Sequence, residues 1–194
     1  MKTTVLFVEH LITGIQASVW IVLLVFSFFG YDWISLDGLK NFATIGTLLV
    51  LSVIYSIGVF VDDLADRLLK RWSERIRDRR MVEEDISGES LSIMKTLKEI
   101  DNEFLSNYIG YIRSRIRISR ATFFNFSLIT VSAVVFTCIQ LDEISPQLFW
   151  KLVIFEIIIG MAIAVAALLS WLSITNTFAK QVIRMHKMVA SATS

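Results

Sequence analysis

Proline occurs once in the 194 residues, at Pro146, and glycine eight times. Helices can therefore run long with few interruptions, and a β-barrel, which needs many turns, is disfavoured. Cysteine also occurs once, at Cys138, which excludes a disulfide within the chain and a cysteine-based zinc site. Lying inside an apolar stretch, Cys138 reads as a packed, inert thiol. The two histidines, His10 and His186, have no third ligand in pattern, so no metal site is expected. No G-x-S-x-G, P-loop, dinucleotide fingerprint or H-E-x-x-H occurs, and neither an enzyme nor a cofactor is expected. Charge is scarce as well: 19% of residues are charged against 55% hydrophobic, too apolar for a water-soluble domain of this length.

What is present is a set of long apolar runs. A helix needs roughly 17–25 such residues to cross a hydrocarbon layer of about 30 Å. Four runs qualify, over about residues 5–29, 42–61, 121–141 and 148–174. The first resembles a signal peptide only superficially, because Glu9 and His10 interrupt it and no small-residue cleavage pattern follows. Orientation follows from where Lys and Arg sit. Thirteen of the nineteen fall in residues 62–120, three lie after Ile174 (Lys180, Arg184 and Lys187), and Lys2 adds one. The two short connections hold only Lys40 and Lys151. Seventeen against two places the middle segment and both termini in the cytoplasm. Trp33 and Trp150 at the outer ends, and Trp72 and Trp171 nearer the inner side, suit an aromatic belt.

The expected class is all-α, with spans one and two in residues 1–61, a cytoplasmic helical hairpin in 62–120, spans three and four in 121–174, and a cytoplasmic tail in 175–194. The hairpin is read from periodicity. Val61, Leu64, Leu68, Trp72 and Ile76 recur at spacings of three and four, so the second span continues as a helix past the membrane. The pattern fades over residues 81–90, and Ile93, Leu97, Ile100, Phe104, Tyr108, Tyr111 or Ile112, and Ile116 restore it up to the third span. One antiparallel hairpin has too little surface to bury both stripes, so further copies of the chain or a soluble cytoplasmic partner should complete the packing. Trp72 with Arg75, Arg77, Arg79 and Arg80 forms the candidate partner-binding set.

Several clusters stand out at the membrane boundary and within the spans. Asp62, Asp63 and Asp66 spell DDxxD, the arrangement that holds magnesium and diphosphate in prenyl-transferring enzymes, but no second acidic motif accompanies it. They leave the second span at the level where Arg113, Arg117 and Arg120 enter the third, so an ion-pair network fixing the hairpin register is the expected arrangement. Arg113, Arg117 and Arg120 share a helix face and suit membrane-lipid headgroups; with no aromatics interleaved, direct nucleic-acid binding is not expected. Glu156 lies roughly 12 Å into the fourth span, where an ionisable group must be protonated, paired or facing water. Gly160 and Ala164 follow at i+4 and i+8 as a small-residue face, and Thr137 and Ser132 are its expected partners. Glu9, Thr13, Gln16 or Ala17, and Trp20 give the first span a polar face. Gln16 joins Glu156, Gly160 and Ala164 as an intramembrane functional or assembly candidate.

Four short-looped spans carrying one helical cytoplasmic hairpin resemble, in layout, the Kiwa-type membrane subunits of bacterial phage-defence systems. The resemblance implies a homo-oligomer in a bacterial inner membrane that senses events at the envelope and engages a soluble effector through the hairpin. Two functions follow as expectations: a membrane sensor or scaffold subunit, motivated by the hairpin, and a homo-oligomeric ion channel or membrane-permeabilising effector, motivated by Glu156 and the polar face of the first span.

Overall fold

A computed structural model describes residues 3–30, 43–83, 103–141 and 145–193. Among the described residues there are four helices and no strand: α1 (Thr3–Phe29), α2 (Ala43–Glu83), α3 (Glu103–Gln140) and α4 (Pro146–Thr193). Each holds a stretch long and apolar enough to cross a membrane. Local chemistry sets two of the ends. Gly30, at φ +70°, closes α1 by donating its N–H to the Phe26 carbonyl at 3.0 Å, a left-handed position that suits glycine. Ser145 begins α4, its carbonyl accepting the N–H groups of Leu148 and Phe149, and Pro146 follows at the first turn, where its missing N–H costs nothing.

The helices alternate in direction. α1 packs on α2 and α3, α3 packs along α4, and α2 touches α3 and α4 more lightly. The starts of α1 and α3 and the far portions of α2 and α4 therefore lie together at one end. α2 runs unbroken through Trp72 to Glu83, and α3 passes Gly110 without interruption. The segment after Ile174 is no separate tail: α4 carries it as helix to Thr193. Of the loop expected over residues 81–90, Met81, Val82 and Glu83 are still helix, because α2 continues that far; its remainder, the connection over 31–41 and the stripe through Ile93, Leu97 and Ile100 lie outside the described residues.

Burial is the reverse of a water-soluble protein's. Facing inward are small or polar side chains, including Ala17, Ala65, Ala121, Asn125 and Thr137. Leu48, Phe60, Phe155, Ile158 and Leu169 point outward. With that surface, water is the wrong solvent, and the chain is a multi-pass membrane protein. Small residues let backbones approach closely. A Cβ on Gly14 would meet the backbone carbonyl of Ile54, one on Gly58 would meet that of His10, and one on Gly160 would meet the Thr130 side chain. Two sequence expectations change here. Cys138 is exposed rather than packed, because its neighbour Thr137 occupies the inward position. Trp171 is fully buried between helices rather than in an interfacial belt, because α4 continues beyond it and packs inward through Thr175, Phe178 and Ala179.

Gly58→Ala forces the α1 and α2 backbones apart. It is expected to destabilise the detergent-solubilised protein by about 1–3 kcal/mol, as overpacking does. Thermal unfolding followed by intrinsic tryptophan fluorescence reads the loss.

Candidate functional site

Polar side chains converge on a seam that runs the length of the bundle in three layers. The first layer is ionic and lies where α2 and α3 leave the apolar span. Glu9 of α1 is 2% exposed; its carboxylate accepts hydrogen bonds from the Ser114 hydroxyl and from Arg117 Nη1, the latter at 3.2 Å. Arg117 also reaches Asp62 of α2 through Nε at 3.4 Å. Arg120 donates through Nη2 to Asp62 at 3.1 Å and through Nη1 to Asp66. His10 Nε2 stands 3.7 Å from the same Asp62 carboxylate. Three helices are thus tied through one aspartate.

Helical spacing explains the membership. Asp62 and Asp66, four apart, share the face of α2 that looks at α3, while Asp63 turns away and pairs with Arg67 at 2.7 Å. Arg117 and Arg120 share a face of α3, while Arg115 lies over the Tyr111 ring. The three aspartates of the DDxxD sequence therefore do not converge on one point. Among the described residues no group of histidine, cysteine and carboxylate side chains is placed to hold a metal ion.

The second layer is neutral. Asn125 of α3 is fully buried and donates through Nδ2 to the Thr13 carbonyl at 3.2 Å and to Gln16 Oε1 at 3.4 Å. Its Oδ1 accepts the Trp20 indole N–H at 3.2 Å, and Gln16 Nε2 donates to the Thr122 hydroxyl at 3.3 Å. The third layer joins α3 to α4. Thr137 donates its hydroxyl to Glu156 Oε1 at 2.7 Å, while Glu156 Oε2 is buried with no hydrogen-bond partner. Gly160 packs one turn further on against Thr130, and Ala164 is buried beyond it. Gln140 ties α3 to the Ser27 carbonyl of α1 at 2.9 Å.

Beside the ionic layer α2 stands off from α3 and α4 and leaves a cavity of about 530 Å³. His10, Asp62, Asp63 and Asp66, Arg113, Arg117 and Arg120, and Thr175 are among the residues that line it. An apolar recess of about 360 Å³, lined by Trp20, Phe60 and Leu64 among others, opens on the other side of α2.

The sequence candidates distribute as follows. Asp62, Asp66, Arg117 and Arg120 bond one another; Arg113 lines the cavity beside them; Asp63 lines it with its carboxylate on Arg67. Glu156, Gly160 and Ala164 lie in the α3–α4 seam, and Gln16 belongs to the Asn125 cluster on the α1–α3 side, apart from them. Trp72, 49% exposed, and the exposed Arg75 and Arg79 sit on the outer part of α2, while the side chains of Arg77 and Arg80 lie outside the described residues. Three participants escaped the sequence reading. Ser114 carries no signal of its own. Gly14 and Gly58, which set the α1–α2 distance, sit in different helices, and only their shared position opposite each other makes them a pair. Compared with protein-family models, curated proteins and solved structures, the chain gives no match.

Breaking a buried pair leaves a charge without compensation and costs about 3–5 kcal/mol. Glu9→Gln or Arg117→Met alone is expected to destabilise the bundle on that scale, whereas Asp63→Asn, in a pair on the surface, should change stability by less than about 1 kcal/mol. The double variant Glu9→Gln/Arg117→Met should recover part of the loss, and a thermodynamic cycle over the three proteins measures the coupling.

Proposed function

We propose that this protein is a homo-oligomeric sensor or scaffold subunit of a bacterial inner membrane, which relays a change among its spans to a soluble protein held on its cytoplasmic helices. One observation carries the reading: a single ionic junction ties α1 to α2 and α3 at the level where the latter two leave the apolar span and run on as charged helices. A shift of α1 alters the partners of Asp62 and Arg117, and those residues belong to the same rigid helices that carry Trp72, Arg75 and Arg79 outward. Packed polar junctions have discrete arrangements rather than a continuum, which is what a relay needs. The distribution of Lys and Arg favours a cytoplasmic location for this end and for both termini. The resemblance of the sequence layout to Kiwa-type membrane subunits supports such a role.

The exposed Trp72 with Arg75 and Arg79 on one projecting helix supports a protein partner that presents apolar and acidic side chains. Aromatic and arginine side chains dominate the energetics of such contacts. No catalytic set emerges from the described residues, and the reading assigns no reaction.

A channel assembled from several copies is the second reading, and Glu156 is the observation that favours it, since its Oε2 is buried in the membrane without a partner. Against it, Glu156 bonds within the chain to Thr137. In liposomes, a channel lined by Glu156 would change its conductance or selectivity on Glu156→Gln; the relay reading expects no current from either protein.

The relay reading is tested by capture from native cells. Arg75→Glu/Arg79→Glu should lose the co-purifying soluble partner, at least tenfold, while the mass of the extracted membrane assembly stays unchanged; tenfold corresponds to about 1.4 kcal/mol. Intact recruitment by the double variant would sink the proposal.

A further inference from the structure

We infer that the cavity between α2, α3 and α4 binds the headgroup of a zwitterionic aminophospholipid, its phosphodiester held by Arg120 and Thr175 and its ammonium by Asp63 and Asp66. The inference goes beyond the relay reading and rests only on the membrane placement of the ionic end.

Unused hydrogen-bonding capacity is the first ground. Several helical serine and threonine hydroxyls among the described residues are satisfied by the carbonyl four residues back, as at Ser18, Ser27, Ser56, Ser127 and Thr130, and those of Ser114 and Thr137 by carboxylates. Thr175, 2% exposed, is not: its Oγ has no partner, and neither has Nδ1 of His10, which is 8% exposed, nor Nε of Arg120. All three residues line the same cavity. Thr175 Oγ and Arg120 Nε are donors, and buried donors left unmade are costly, so a group rich in acceptor oxygens is the chemistry that completes them. Phosphate offers such oxygens, and Arg recognises it well.

Charge order is the second ground. A free anion would have to sit beside Asp62, Asp63 and Asp66, three carboxylates on one side of the cavity. A zwitterion meets less of that objection, because its ammonium offsets Asp63 and Asp66 while Asp62 is already paired with Arg117 and Arg120. Moving outward from the apolar span, α3 presents Arg120 first, level with Asp62 and His10. On α2 the more open carboxylates Asp63 and Asp66, 57% and 54% exposed, come at and beyond that level. A lipid whose tails lie in the membrane also presents its phosphodiester first and its ammonium farther out. The two sequences of charge match. Val59, Ile116 and Phe178 supply apolar lining for the glycerol end, and about 530 Å³ admits a headgroup without rearrangement of the helices.

The test uses the full chain in nanodiscs made from an equimolar mixture of phosphatidylethanolamine, phosphatidylglycerol and phosphatidylcholine, followed by gentle extraction and native mass spectrometry of retained lipid. Phosphatidylethanolamine should be retained several-fold over both others, because phosphatidylglycerol lacks the cation and the quaternary ammonium of phosphatidylcholine has no N–H to donate. Thr175→Val should reduce its retention about fivefold, the scale of one lost hydrogen bond. Asp63→Asn, which leaves the ionic junction intact, should narrow the preference over phosphatidylglycerol. Equal retention of the three lipids by the wild-type protein would overturn the inference whatever the variants do. So would displacement of bound lipid by millimolar inorganic phosphate with the same efficiency as by O-phosphoethanolamine, which would assign the site to a free anion. Lipid retention is read without any partner protein, so failure here and failure of partner recruitment are separate results.

Discussion

Every helix contact at the ionic end depends on the cost of placing charge in a poorly hydrated setting. Glu9 is buried to within 2% of its surface, and a carboxylate there is tolerable only because Ser114 and Arg117 meet it. Arg117 and Arg120 in turn need Asp62 and Asp66, and Asp62 draws in His10. Removing Arg117 takes from Glu9 its cationic partner, and removing Asp62 takes one partner each from Arg117, Arg120 and His10. The junction therefore fixes rotation and register of α1, α2 and α3 together, which apolar packing between lipid-like surfaces would leave poorly specified. The Asn125 cluster repeats the principle without charge, a turn or two deeper, and the Thr137–Glu156 bond repeats it between α3 and α4.

The seam also explains where the bundle is loose. Bonds to α3 run from α1 and from α4 in several layers, but α2 meets α3 chiefly through the arginine–aspartate contacts, with open volume on both sides of it. Its close packing is with α1, through Gly14 and Gly58. A helix held by backbone contact on one side and ion pairs on the other has two qualities of attachment: the first fixes distance, and the second responds to protonation, ligands and neighbouring charge.

Much of this was legible in the sequence. Four apolar runs, their approximate limits and the continuation of the second span as a charged helix follow from length and period alone. So did the suggestion that Asp62 and Asp66 meet Arg117 and Arg120, and that Thr137 faces Glu156, because depth along an antiparallel pair can be counted. What could not be read were relations that depend on helix rotation. Glu9 was visible as an oddity in its span, but nothing local says that it reaches Ser114 and Arg117, more than a hundred residues away. Asp63 looked equivalent to its neighbours until the face of α2 was known. Trp171 looks interfacial from its place near the inner end of the fourth span, whereas the rotation of α4 turns it between helices and buries it.

The spacing of the contacts along α2 has a mechanical consequence. Gly58, pressed against α1, acts as a fulcrum, and the ion pairs at Asp62 and Asp66 load the helix one and two turns beyond it. At 1.5 Å per residue, Asp66 lies about 12 Å from that fulcrum and Glu83 about 38 Å, so the helix works as a lever with a gain of roughly three. A tilt that lengthens the Asp66 contact by about 1 Å, enough to break it, would carry the far end some 3 Å sideways. The glycine that lets two backbones touch thus also sets the ratio in which a tilt at the ionic junction is carried to the far end of α2.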